Sequence, residues 1–133
     1  VGMFLLAILG ILAAIALPAY KDYRLRAHAS AAIAQAQAQQ PAVTAFLAAH
    51  ERCPENGDEG FGEADDYADT HLSSIVFGEF EGSDYCGLEA TISAPDMDDL
   101  DGSVIWLEYD ADAGTWECTS DVADSRLPVF CQG

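Results

Sequence analysis

Polar and apolar positions divide the chain into three stretches. The first twenty residues, 1–20, carry no charge, and the first charged side chain is Lys21. The run is apolar all round rather than along one stripe, and it is long enough for a helix to cross the hydrocarbon core of a bilayer. Gly2 and Gly10 weaken that helix locally. Pro18 removes one N–H, and its ring meets the carbonyl of Ala14. The section from Gly10 to Pro18 is therefore predicted to bend or unwind. No basic residue precedes the run, so it reads as a retained helix rather than a signal peptide.

After Lys21 the apolar positions fall into one stripe. Leu25, Ala29, Ile33, Ala36, Val43 and Leu47 recur at three-, four- and seven-residue steps, and Phe46 widens the stripe near its end. With Ala and Gln between them, this predicts helix over residues 21–52. Pro41 is a second kink point and would free the carbonyl of Gln37. Unbroken, residues 1–52 would make a rod of roughly 75–80 Å at about 1.5 Å per residue. The chain that follows is too short to cover it. Half the rod must find burial in lipid or in other copies of itself.

From Cys53 the period shortens. Residues 53–71 are rich in Gly and acid and read as a loop, with the Cys53–Pro54 step ending the helix. Ser74–Phe80 alternates, with Ile75, Phe77 and Glu79 opposite Val76 and Phe80. Leu88–Ser93 has the same mix of branched and small residues. Val104–Tyr109 has the strongest strand pattern. Val104, Trp106 and Glu108 share one face, and Ile105, Leu107 and Tyr109 share the other. Asp110-Ala-Asp-Ala-Gly-Thr reads as a hairpin turn into Thr115–Thr119. The expectation is an α+β domain: a long N-terminal helix, four short antiparallel strands packed on its second half, and a closing loop from Ser120 to Gly133.

Charge sharpens this division. Of 23 acidic and five basic residues, only Asp22 and Glu51 among the acids precede Cys53, together with Lys21, Arg24, Arg26 and Arg52. Beyond Arg52 the one base is Arg126. So negative a head repels phosphate backbones, and no nucleic acid is expected on it. The bases just after the apolar run suit a membrane flank or acids on a neighbouring subunit. The four cysteines, Cys53, Cys86, Cys118 and Cys131, contain no CxxC pair and suit no zinc ribbon. Outside the membrane they would form bridges, and sequence alone allows three pairings.

Little in the chain points to chemistry. His28, His50 and His71 stand too far apart for a recognisable metal motif. Asp96-Met-Asp-Asp-Leu-Asp-Gly102 fails the EF-hand pattern at Leu100 and at Leu107. No Ser/His/Asp order, phosphate loop, Cys/His site or CxxCH haem motif is present. Neither catalysis nor a cofactor is expected.

The segment Gly10-Ile-Leu-Ala-Ala-Ile-Ala-Leu-Pro-Ala-Tyr20-Lys-Asp-Tyr23 resembles the N-terminal core of bacterial type IV pilins. Gly114-Thr-Trp-Glu-Cys118 with Leu127-Pro-Val-Phe-Cys131 is similar to the last strand and C-terminal disulfide loop of the major pilins. Thr70-His-Leu-Ser-Ser-Ile-Val76 is similar to their first strand. The resemblance implies the type IV pilin fold and a structural subunit that polymerises into an extracellular pilus. A type II secretion pseudopilin or minor pilin is the alternative, and a monomeric membrane-anchored binding domain is the second. It implies the bridges Cys118–Cys131 and Cys53–Cys86. It implies residues 1–23 as a helix that is transmembrane before assembly and filament core afterwards, with 24–133 as the head. The head comprises helix 24–52, a variable loop 53–71, a sheet over 74–119 and a disulfide loop over 118–131. Val1, Phe4, Leu5, Ile8, Leu9, Ile11, Leu12, Ile15 and Leu17 would pack the filament core. Gly10, Pro18 and Pro41 would be its melting or kink points, and Lys21, Arg24 and Arg26 its contacts to adjacent heads. The partners implied are further copies of the chain, the pilus assembly machinery and the inner membrane. One departure stands out: aligned on Gly10 and Pro18, the glutamate of the family falls at Val1.

Overall fold

A computed structural model describes residues 21–79 and 85–132. Residues 21–37 form helix α1, Ala38 and Gln39 form a turn, and Gln40–His50 form helix α2. The single helix expected over 21–52 is thus two. The break follows from Pro41, which is tolerated in the first turn of a helix but not in its interior. The helix therefore stops and restarts with Pro41 near its new start. The Gln39 N–H reaches back only three residues, to the Ala36 carbonyl at 3.1 Å, which tightens the end of α1. α2 ends at His50, two residues before the expected limit. Glu51 adopts the left-handed conformation (φ 55°), and its N–H donates to the Leu47 carbonyl at 2.9 Å. Pro54 already disfavours a helical Cys53, and the chain turns just before it.

Leu25, Ala29, Ala32, Ile33, Ala36, Val43 and Phe46 are buried, and Leu47 packs half-buried beside them. They share one core with the inward side chains of a four-stranded antiparallel sheet in the order β1-β2-β3-β4. The strands are β1 Leu72–Glu79, β2 Cys86–Ile92, β3 Val104–Asp110 and β4 Thr115–Ser120. Phe77 faces Leu88, and Leu88 faces Leu107, so three strands line up one apolar row. Ile105 and Leu107 are buried while Trp106 and Glu108 are partly exposed, as the alternation of that segment predicts. β1 begins two residues earlier than its pattern, because a bulge between Leu72 and Ser74 lets Leu72 point inward. Phe80, the expected last residue of that strand, lies outside the described residues. Gly114 (φ 70°) closes the β3–β4 hairpin, donating its N–H to the Asp110 carbonyl at 2.8 Å.

Residues 53–71 are tied to the sheet and to α2 by ordered contacts. Phe61 is buried there, edge-on to both Phe46 of α2 and Phe77 of β1, with ring centres 5.5 and 4.8 Å apart. Tyr67, in a 3-10 turn over Ala64–Tyr67, packs on Phe77 and accepts the Gly62 N–H through its hydroxyl. Asn56 completes the link. Its Nδ2 donates to the carbonyls of Ile75 and Gly62, and its Oδ1 accepts the N–H of Phe77 at 2.9 Å. One side-chain amide thus acts as a partner strand for the free edge of β1, which would otherwise offer unpaired backbone groups to another chain.

Replacing Asn56 by Ala strands the Phe77 N–H and the Ile75 carbonyl. Asn56→Ala is expected to lower the unfolding free energy by about 1–3 kcal/mol, with little change for Glu59→Ala, an exposed loop residue. Thermal unfolding followed by near-ultraviolet circular dichroism checks this.

Candidate functional site

The start of α1 and the β2–β3 connection face each other across a depression of about 470 Å³. Lys21 and Arg24 lie on the helical side, and Asp96, Met97, Asp98 and Asp99 lie on the other. Lys21 is 3.8 Å from Asp99 of its own chain, and Arg126 approaches the same carboxylate oxygen at 3.9 Å. Asp99 therefore links the helix, the connection and the C-terminal segment, although ion pairs this exposed are each worth about 0–1 kcal/mol. Arg24 and Arg26 are exposed and have no ion-pair partner among the described residues. Tyr23 next to them is 68% exposed.

The C-terminal segment presents a further exposed apolar group. Cys118 of β4 is joined to Cys131, and Cys53, past the end of α2, is joined to Cys86 at the start of β2. Closing loops of these lengths contributes about 3 kcal/mol for the shorter and about 4 for the longer in the chain-entropy model. Leu127 and Val122 anchor the tail in the core, and Gln132 Nε2 donates to the carbonyls of Asp124 and Leu127 at 3.0 Å. Held between these points, Val129 is 83% exposed and Phe130 57%.

Much of the acid excess has a local structural use that charge counting missed. Four aspartates, Asp58, Asp66, Asp69 and Asp110, accept backbone N–H groups two or three residues away at turns, while Asp101 and Asp121 accept the N–H groups of Ala94 and Val104 across seven and 17 positions. An aspartate two to four residues from such an N–H mimics a backbone turn. The Asp-Ala-Asp-Ala-Gly stretch carries that signal in its spacing. Asp58 does most: it accepts two bonds from Arg52 at 2.9 and 3.0 Å and the Glu55 N–H at 2.7 Å. The Arg52 guanidinium, with that N–H, holds the Asp58 carboxyl down at about 2. Arg52 also lies over the Phe46 ring, 4.8 Å from its centre. At the far side, Asp110 pushes the Tyr85 hydroxyl above its ordinary value.

Among the described residues no group of three or more His, Cys, Asp or Glu side chains is arranged to hold a metal ion. In the acid run Asp96–Asp101, Asp101 accepts the Ala94 N–H and Asp99 pairs with Lys21 and Arg126. Among those residues, too, no helix is long and apolar enough to cross a membrane. The positions expected to pack a filament core (Val1, Phe4, Leu5, Ile8, Leu9, Ile11, Leu12, Ile15 and Leu17) and to unwind (Gly10 and Pro18) lie outside the described residues.

The family model described as "Pilin (bacterial filament)" matches residues 25–132, the whole described head and the helix beneath it. The chain belongs to the pilin family. The Eikenella corrodens fimbrial protein EcpC is similar to this pilin at 32% identity over 98% of the chain and 85% of its own length. Fimbrial protein Q of Moraxella bovis is 34% identical over 88% of the chain and 80% of its own length. A type IV major pilin protein PilE1 of Neisseria gonorrhoeae is 54% identical, but over 41% of the chain and 33% of its own length. The chain thus spans about a third of the length of these gonococcal relatives. The head of this pilin has the features such a match leads one to look for: a helix, a four-stranded antiparallel sheet and a disulfide-closed C-terminal loop.

The Arg52–Asp58 pair gives a pH signature. Because folding lowers the Asp58 value, the pair stabilises the fold above pH 4, and that contribution fades as pH falls through about 2. Arg52→Gln is expected to return the Asp58 carboxyl toward its ordinary 3.8, read as the midpoint of its carboxyl carbon shift in an NMR titration.

Proposed function

We propose that this pilin is the repeating structural subunit of an extracellular type IV pilus, not an enzyme. The observation that carries the reading is the pilin match across residues 25–132 in a chain whose first twenty residues are uncharged. A segment apolar on all sides is stable in lipid, and outside lipid it must be buried by other copies. The chain is held in the inner membrane by residues 1–20 before assembly. The assembly machinery then transfers that segment into the filament core, where Gly10–Pro18 unwinds. Contacts between different patches on successive copies do not close on themselves, so they propagate as a helix.

Residues 1–23 form the core-building unit and residues 24–133 the exposed head. Lys21 is held toward its own Asp99, which leaves Arg24 and Arg26 to meet acids of adjacent heads. These contacts supply register rather than most of the binding energy, because exposed ion pairs are weak. The acidic head faces solvent and binds no nucleic acid itself.

The test is electron microscopy of material sheared from cells expressing the chain. Wild type is expected to give uniform thin filaments. Arg24→Glu with Arg26→Glu is expected to cut filament yield at least several-fold while the membrane pool of subunit stays constant. A chain that remains monomeric in detergent and forms no filaments in cells would instead be a membrane-anchored binding domain.

A further inference from the structure

Two histidines that are 43 positions apart meet at the surface of the head. The rings of His28 on α1 and His71 just before β1 lie 4.8 Å apart, centre to centre, edge to face at 64°. Ser93 fixes both. Its carbonyl accepts a 2.7 Å hydrogen bond from His28 Nε2, and its own N–H donates to the His71 carbonyl at 2.9 Å. A carbonyl can only accept, so His28 carries a proton on Nε2, and in the neutral ring the lone pair is on Nδ1. Nδ1 of His71 is buried without a hydrogen-bond partner. Met97 lines the same depression of about 250 Å³, together with Tyr23 and Arg24. The Met97 backbone is held as well: its N–H donates to the Ala94 carbonyl, and its carbonyl accepts from Leu100 and Asp101.

We propose that His28, His71 and Met97 form a binding site for a soft monovalent metal ion of the copper(I) class. An imidazole whose other nitrogen donates to a backbone carbonyl is the usual orientation of a metal-ligating histidine. A metal–nitrogen bond of about 2.0 Å puts two imidazole rings sharing one ion roughly 5 Å apart, close to the separation here. The third donor decides the ion. A thioether selects copper(I) over zinc, calcium or magnesium. All three donors are neutral, and the Arg24 guanidinium lines the rim, so no anionic oxygen offsets the charge of a divalent ion in this depression. A hard cation finds none of the carboxylates it needs there. Ligation also gives the buried Nδ1 of His71 the partner it lacks, which counters the cost of leaving that nitrogen unmet. The site is made from the helix, the strand entry and the β2–β3 connection, so a bound ion ties together three parts of the head.

The test uses the full-length chain in detergent micelles, titrated with silver(I) nitrate as a redox-inert copper(I) surrogate in chloride-free buffer. Histidine side-chain nitrogens and the methionine methyl groups are followed by NMR. One equivalent is expected to move Nδ1 of His28 and of His71 and the Met97 methyl group together. His50, exposed at the end of α2, should stay in place and serves as the internal control. His28→Gln is expected to weaken silver binding at least tenfold, and Met97→Leu to weaken it for silver more than for zinc. The wild-type spectra carry the readout even if a variant folds poorly. The proposal is overturned if His28 and His71 stay unmoved at tenfold excess of silver, if His50 shifts in step with them, or if zinc(II) moves them at lower concentration than silver.

Discussion

The close seating of α1 on the sheet is the constraint from which the head follows. Ala29, Ala32 and Ala36 are fully covered, with Leu25 and Ile33 buried beside them. A methyl side chain takes little room, so the helix backbone approaches the sheet closely and the large residues come from the strands: Leu72, Ile75, Phe77, Leu88, Ile92, Ile105 and Leu107. The volume is divided between a thin helix face and a thick sheet face, at the density that protein interiors require. Alanine also keeps the helix favourable without side-chain entropy to lose. The exposed face of the same helix carries Arg24, Arg26 and Ala34, which leaves it free for other partners.

Around this contact the rest of the head acts as fastening. The Phe46–Phe61–Phe77 cluster and Asn56 attach the acidic loop to α2 and to the edge of β1. One disulfide holds that loop to the start of β2, and the other holds the tail to β4. A filament subunit has particular reason to close its β edges. Stacked copies bring heads to high local concentration, where an open edge invites the wrong pairing. The carboxylates serve twice. Four of them shape local turns, and together they give the head a negative surface.

The legible parts of the sequence were the periodic ones. The Leu25–Ile33–Val43 stripe and the alternation at Val104–Tyr109 correspond to buried faces, because a helix or strand imposes its period on its own residues. Pro41 announced a break but not its form, since a proline can kink a helix or restart one. Contacts between distant segments left no local trace. Asn56 bonds to residues 19 and 21 positions away, and Phe61 stands between two glycines in what reads as loop. His28 and His71 looked unrelated because only the packing of α1 against the entry to β1 brings their rings together. Asp110-Ala-Asp-Ala-Gly-Thr reads as a turn and is one, whereas the bonds of Asp101 to the Ala94 N–H and of Asp121 to the Val104 N–H span seven and 17 positions and left no local signal.

The alanine face of α1 is the contact on which the head depends. Unfolding of the full-length chain in detergent micelles, followed by the fluorescence of Trp106 and Trp116, compares Ala36→Leu on the buried face with Ala34→Leu on the exposed face of the same helix. Overpacking is expected to cost about 1–3 kcal/mol at Ala36, with a change within about 0.5 kcal/mol at Ala34. Equal effects at the two positions would mean that close approach of α1 to the sheet is not what holds the head together.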